Sequence, residues 1–574
     1  GNITSGRIAN RFNLHGTNCV VDAACASSLA GIRMAVHELL DYRSDMMITG
    51  GVDMDNSIYA YLCFSKTPAF SRGENSKPFD KDSAGMLIGE GIGMLLLKRL
   101  EDAKRDQDRI YAVIKGIGTS SDGRSKSIYA PRSEGQIIAL ERAYQDAGFS
   151  PATVGMIEAH GTGTVAGDVA EVDALKMLFE KYNTPKDQVA LGSVKSQIGH
   201  TKNAAGVAGL IKGALSLYHK ILPATINVKE PNPKLDLDSS ALYLNSEVRP
   251  WIPSQPGIPR RAGISAFGFG GTNFHLALEE YQPENETVYR LHQSSDQILL
   301  QAENTTALLQ NCQQIVKRLT TDDSSFQQLA TDSQDCELPI KNARLGFAVK
   351  DKQQCIDKLN AGIKKLEQDL LADNWELPNG VFFRSTGLAL EGKLVALFAG
   401  QGSPYVNMGK ELACNFPPVR ECFTIVNQHL LETGQNPVSK VVYPKPVFTK
   451  AEKDIQAKEL QLTENAQPAI GAFSAGQYKI LNQAGFNPNY TAGHSFGELT
   501  ALWASGVFNE SEYLMLAKAR GEAMAAPADP GFDAGSMLAV IGDLENLKKD
   551  IAGFKNIVMA NINSHQQIVL NHLL

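Results

Sequence analysis

The run Val20-Val21-Asp22-Ala23-Ala24-Cys25-Ala26-Ser27-Ser28-Leu29 constrains this chain more than any other stretch. Val20 and Val21 read as an apolar strand that breaks off at a cysteine walled in by small residues. A helix is expected to follow at once, with Leu29, Ile32, Val36 and Leu39 at the spacing of one buried face. A cysteine at such a junction sits at the positive end of the helix dipole, where its thiolate is favoured. Ala23, Ala24 and Ala26 leave room for a substrate beside the sulfur. A buried structural cysteine is the alternative, and the small-residue collar favours a nucleophile.

At 574 residues the chain exceeds one core, and three or four domains are expected. Hydrophobic content of 43% with 20% charged residues is that of an ordinary soluble globular protein. A net charge of −7 without a basic stripe argues against nucleic acid and anionic membrane as partners. The eight cysteines are scattered, with no C-x-x-C pair. That pattern predicts a reducing, cytoplasmic setting and neither a disulfide scaffold nor a metal site. Glu90 and Lys212 interrupt the best apolar runs, so no transmembrane segment is expected. The chain begins at Gly1 without a signal peptide or initiator Met and reads as a piece of something longer.

Residues 1–282 are Gly-rich, with short apolar segments such as 46–51, 94–97 and 111–114 alternating with helical stretches at 134–147 and 203–219. The economical architecture is α/β and layered, repeated over several domains. Prolines 231, 233, 250, 253, 256 and 259 mark an extended excursion before 262–267. Residues 283–391 are rich in Gln, Asp, Ser and Thr, and strand-then-helix patterns at 297–319 and 343–371 make them a small α/β linker domain. A second Gly-rich α/β region, 392–574, opens with the strand Leu394–Phe398.

Two further runs join Cys25. His160 sits in Glu158-Ala159-His160-Gly161-Thr162-Gly163-Thr164, and His200 in Lys195-Ser196-Gln197-Ile198-Gly199-His200-Thr201. Each places a histidine in a turn between Gly and small hydroxyl residues, where a ring can face a cavity. Singly, either would be a solvated or core residue. Together with a cysteine they form a toolkit for carbon–carbon bond formation from thioesters. The cysteine carries an acyl group, and two neutral imidazoles donate hydrogen bonds to the malonyl thioester carbonyl as carbon dioxide leaves.

These motifs, with Gly268-Phe269-Gly270-Gly271-Thr272-Asn273, resemble the C-terminal part of an elongating β-ketoacyl synthase of the polyketide-synthase type, a thiolase-fold enzyme. The resemblance implies that Cys25 is the acyl-carrying nucleophile and that His160 and His200 stabilise the enolate. It implies that Lys195 orders the site near His160, and that Thr162 and Thr164 contact a phosphopantetheine arm. The backbone N–H groups of Cys25 and Phe269 would form the oxyanion hole, with Phe269 gating the pocket. Only 24 residues precede Cys25, where the family carries a longer segment. The synthase is therefore expected to lack its N-terminal segment.

In the last region, Gly493-His494-Ser495-Phe496-Gly497 has the G-x-S-x-G form of a nucleophile elbow, with a chance turn as the alternative. The loop Gly400-Gln401-Gly402-Ser403 follows a strand and could bring a backbone N–H to an oxyanion. Arg520 falls on a helix, where it could make a surface salt bridge or grip a malonyl carboxylate bidentately. Gln401, Gln467, His494, Ser495 and Arg520 together resemble the N-terminal part of an α/β-hydrolase-like malonyl acyltransferase, with Ser495 as nucleophile. Pro404 stands where that family commonly has Gln, which removes an N–H near the mouth. With 79 residues after Ser495, the catalytic histidine is expected beyond the chain end, and His565 reads as a loop residue.

Synthase, linker and transferase in this order resemble type I synthases, and several stretches look most like the large subunit of bacterial polyunsaturated fatty acid synthases. The implied function is decarboxylative Claisen condensation together with malonyl transfer from malonyl-CoA to an acyl carrier protein. The implied partners are carrier-protein domains and a second synthase copy in a homodimer. No tightly bound cofactor is implied. The same chemistry in another type I polyketide synthase, a non-catalytic chain-length or docking fragment, and a bare hydrolase using Ser495 are the alternatives. Retention of Cys25 disfavours the second, and Arg520 the third.

Overall fold

In the computed structural model a six-stranded mixed sheet forms the centre of the first region. Its spatial order is Val113–Ser121, Thr272–Glu279, Arg261–Gly268, Met156–Glu158, Val189–Gly192 and Leu242–Leu244. The first three strands alternate in direction and the last four run parallel. Met156–Glu158, Val189–Gly192 and Leu242–Leu244 are buried along their whole length, as parallel strands covered on both faces must be. Helix Ser133–Ala147 packs on Val113–Ser121, and helix Ala205–His219 on Arg261–Gly268. The structure describes residues 1–67, 69–124, 127, 129–253, 257–282, 295–322, 324–334, 336–388, 392–402, 404–525 and 537–572. Ser403 lies outside them, and the domain limits expected after 282 and 391 abut segments that do.

A second, antiparallel ladder pairs Met46–Asp53 with Gly91–Lys98 and lies on helix Ser27–Leu40. Leu29, Ile32 and Leu39 of that helix are buried, as their spacing predicts, while Val36 is partly buried against the same core. Each fully buried side chain contributes about 1.5–3 kcal/mol. The strand expected before Cys25 does not form. Asp22 Oδ1 accepts the Ala24 N–H at 2.9 Å and Ser27 Oγ accepts the Ala23 N–H at 2.8 Å. These short side chains close a local turn at Ala23 and Ala24, immediately before Cys25.

Residues 296–384 hold a four-stranded antiparallel sheet in the order Asp296–Ala302, Ala343–Val349, Val381–Arg384 and Asn374–Leu377. Helices Thr305–Thr321 and Lys352–Gln368 pack on it through Leu308, Cys312, Leu359 and Leu366. Further along, Val395–Phe398 pairs in parallel with Tyr490–Gly493. Beside them helices Pro417–Glu432, Thr463–Gln483 and Glu510–Ala523 enclose Phe423, Tyr443 and Tyr513. Strands Met537–Ile541, Gln567–His572 and Ile557–Ser564 form a last small sheet, with His565 in its turn.

The first and last regions touch. Ile252 packs against the helical core around Phe423, Arg249 Nη2 donates to the Tyr443 carbonyl, and Lys445 pairs with Asp187 at 2.8 Å. No helix among the described residues is long and apolar enough to cross a membrane.

Candidate active sites

Cys25 sits in the 3-10 turn Ala24–Ala26 that opens helix Ser27–Leu40. Ala24 has φ +51°, a left-handed conformation that alanine rarely adopts and that clusters at functional turns. The thiol faces the backbone N–H groups of Phe269 and of Cys25 itself, and the Lys195 cation, all of which favour the thiolate. Burial outweighs them and raises the Cys25 pKa above its ordinary value. The surroundings thus include groups that favour the thiolate, while burial is the larger cause and acts against it.

The two histidine rings meet edge to face, with centroids 5.4 Å apart. Burial first, and Lys195 second, hold both pKa values well below the ordinary one, so both rings are neutral. The His160 ring also lies 5.7 Å from that of Phe267. His200 Nδ1 accepts the Lys202 N–H at 3.0 Å, which puts the ring hydrogen on Nε2. Lys195 is 3% exposed, and burial lowers its pKa against the opposing charges of Glu158, Glu171, Cys25 and Asp168. Thr162 Oγ1 and Thr164 Oγ1 are hydrogen-bonded at 2.9 Å. Phe269 is half-exposed, and its ring touches those of Tyr129 at 5.7 Å and Phe64 at 6.5 Å.

Sequence reasoning missed the buried acids around this centre. Asp168 accepts the N–H groups of Phe79 and Gly163 at 2.8 and 3.1 Å, and burial raises its pKa to about 6. Glu171 accepts those of His160 and Gly161, and burial raises its pKa too. Glu158 accepts the Val194 N–H at 2.6 Å and pairs with Lys212 at 2.7 Å. A signal was present: Asp168 and Glu171 fall on the same stripe of helix Val165–Lys181 as Val172, Leu175 and Leu178. Carboxylates on an apolar stripe need buried partners.

The second site is built on Ser495, at φ +55° between strand Tyr490–Gly493 and helix Phe496–Ala504. The flanking glycines are sterically required. A Cβ on Gly493 would lie 2.0 Å from the Gly497 carbonyl carbon, and one on Gly497 would lie 2.2 Å from the Phe398 carbonyl oxygen. Ser495 and His494 are exposed, and Gly400 approaches the Ser495 Cβ. Arg520 Nη1 donates to Gln467 Oε1 at 2.8 Å, and Gln467 Nε2 to Gln401 Oε1 at 2.9 Å. Gln401 Nε2 donates in turn to Thr463 Oγ1 at 3.1 Å. A capping box of Asn509 and Glu512 starts the helix that carries Arg520. The guanidinium lies over the ring of Phe496, the residue after Ser495, at 6.0 Å.

The known families match in the same order. Residues 1–103 match "Beta-ketoacyl synthase, N-terminal domain" and residues 111–229 match "Beta-ketoacyl synthase, C-terminal domain". Residues 231–345 match "Ketoacyl-synthetase C-terminal extension", and 395–572 match "Acyl transferase domain". The chain thus carries β-ketoacyl synthase and acyl transferase regions, with the synthase first. The region read as the C-terminal part of a synthase therefore includes sequence of both synthase domains, with residues 1–103 matching the N-terminal one.

Among its relatives, the chain is 42% identical to a polyunsaturated fatty acid synthase subunit of Thraustochytrium sp., over 99% of this chain and 21% of that protein. It is 33% identical to "Spectinabilin polyketide synthase system protein NorB" of Streptomyces orinoci, over 99% of this chain and 25% of that protein. The chain thus spans a fifth to a quarter of the length of these relatives. A solved ketosynthase from module 6 of the Bacillus subtilis bacillaene synthase is 34% identical over 67% of this chain and 65% of its own, with a TM-score of 0.48.

Proposed function

We propose that this chain carries out decarboxylative chain extension at Cys25 and malonyl transfer at Ser495, within a polyunsaturated fatty acid synthase. Ser495 Oγ takes malonyl from malonyl-CoA, releasing the CoA thiol, while Arg520 grips the free carboxylate. The unit passes to the phosphopantetheine thiol of an acyl carrier protein. Cys25 Sγ takes the growing acyl chain from its thioester. The carrier-bound malonyl group then loses carbon dioxide, and the electron pair left on C2 is held as an enolate by hydrogen bonds from His160 and His200. C2 attacks the Cys25 thioester carbonyl, the C–S bond breaks, and the chain leaves two carbons longer. Thr162 and Thr164 line the approach of the pantetheine arm, and Phe269 gates the pocket.

One observation carries the reading: the Lys195 charge acts both on a cysteine thiol under two backbone N–H groups and on two neutral histidine rings that meet edge to face. The likeness to a synthase of polyunsaturated fatty acids supports the subfamily. We assign 1–282 to a thiolase-fold synthase, 283–391 to a linker domain and 392–574 to an α/β-hydrolase-like transferase. The partners are carrier-protein domains and a second synthase copy, and the location is cytoplasmic. Mass spectrometry of peptides after incubation with malonyl-CoA and an acyl thioester tests this. Malonyl on Ser495 and acyl on Cys25 are expected; label on neither residue would refute the assignment.

A further inference from the structure

We propose that Lys202 is a positioning residue for His200, an inference that rests on reading the Cys25 site as a condensing centre. Its Nζ reaches Asn56 Oδ1, the Gly89 carbonyl and Asp53 Oδ1, each at 3.0 Å. Three ammonium hydrogens thus meet three acceptors, and the side chain is buried. Asp53 ends the first strand of the antiparallel ladder, and Gly89 lies just before the second. Lys202 therefore ties the turn after His200 to this ladder.

The backbone tells the same story. Lys202 has φ +49°, where glycine or asparagine costs least and a long side chain is disfavoured. Such a conformation persists only where its surroundings over-determine it. The His200 N–H donates to the Leu87 carbonyl at 2.7 Å, and the Gly89 N–H to the His200 carbonyl at 2.9 Å. The main chain of His200 and the side chain of Lys202 thus grip one segment, residues 87–89. Asp53 Oδ2 also accepts the Asn203 N–H at 3.3 Å.

The held turn aims the Lys202 N–H at His200 Nδ1. This contact keeps the hydrogen on Nε2, where it can be donated to the forming enolate oxygen. With the hydrogen on Nδ1 instead, Nε2 would offer a lone pair to an oxygen gaining negative charge. The Lys202 cation also disfavours protonation of the ring, adding to burial and to Lys195.

The test uses protein labelled with 15N-histidine, whose two-bond 1H–15N correlations report the tautomer of each ring; the signals of His200 are identified by their loss in His200→Gln. Wild type is expected to show His200 with its hydrogen on Nε2. Lys202→Met is expected to show mixed tautomers and release of carbon dioxide from malonyl-carrier thioester slowed about tenfold or more. Acyl loading of Cys25 and malonyl loading of Ser495 should stay within about twofold. Asn56→Ala, which removes one acceptor, should give a smaller shift in the same direction and decides the matter if Lys202→Met does not fold. An unchanged tautomer with unchanged carbon dioxide release would overturn the inference. If wild type itself takes no acyl group on Cys25, the condensing-centre reading fails, while the tautomer signal still decides the role of Lys202.

Discussion

Glu171 Oε1 accepts the His160 N–H at 2.7 Å from a carboxyl group that is only 2% exposed. Its other oxygen accepts the Gly161 N–H at 2.8 Å, so one side chain fixes the loop that carries the ring. Glu171→Leu leaves two buried donors unpaired, at about 1–3 kcal/mol each. Glu171→Gln keeps one acceptor and should lose about half as much. Denaturant melts check the stability, and carbon dioxide release checks the ring position. Malonyl loading of Ser495 should be unaffected in both variants.

The stability of the synthase unit is expected to fall in acid, with His275 a contributor. Its Nδ1 and Nε2 bond Ser265 and Tyr144 at 3.0 Å, and burial lowers its pKa from 6.5 to about 3. Above the unfolded value the ring is neutral in both states. As pH falls through that value the unfolded chain takes up a proton that the folded one refuses, and stability is lost. Between about pH 7 and about pH 5 this amounts to about 2 kcal/mol. His275→Gln should flatten that slope in melts across the range, and an unchanged slope would contradict the assignment.

On the proposed reading, selection of malonyl over acetyl units is expected to depend on Gln467 as well as on Arg520. Gln467 is fully buried and holds Arg520 Nη1 at 2.8 Å. Gln467→Leu leaves the guanidinium unoriented and should lower the malonyl-to-acetyl ratio of kcat/KM about tenfold. Arg520→Ala should lower it further. Equal ratios in wild type and both variants would remove this pair from the selection of substrate.

At the junction of the two enzyme regions, Arg249 donates to the Tyr443 carbonyl. Arg249→Met should cost about 1–3 kcal/mol by leaving a buried carbonyl unpaired. The half-exposed Lys445–Asp187 pair should contribute at most about 1 kcal/mol in a double-mutant cycle. Calorimetry should then show the synthase and transferase transitions moving apart in Arg249→Met and staying together in Lys445→Met.

The α/β alternation was legible because its signals are local. Apolar runs bounded by glycine gave the strands Met46–Asp53 and Gly91–Lys98. The G-x-S-x-G spacing gave the Ser495 elbow, where Gly493 is required by Gly497 four residues on, although Gly497 is required by the distant Phe398 carbonyl. What failed depended on competition between distant terms. The strand expected before Cys25 gives way to a turn that Asp22 and Ser27 close on the N–H groups of Ala24 and Ala23. The helix start at Cys25 was visible in sequence, whereas the burial that raises its pKa, and the Lys195 and Phe269 groups that lower it, depend on residues far along the chain. Glu158, Asp168 and Glu171 read as ordinary charged residues until tertiary packing closed over them, and Lys202 until its turn met residues 53, 56 and 89.

The most direct measurement is extension of an acyl thioester by this protein supplied with a malonyl-loaded acyl carrier protein, comparing wild type and Cys25→Ala. Wild type should lengthen the acyl chain by two carbons with release of one carbon dioxide. Cys25→Ala should abolish the lengthened product while malonyl still loads on Ser495. Undiminished extension by Cys25→Ala would contradict the assignment of Cys25 as the condensing nucleophile.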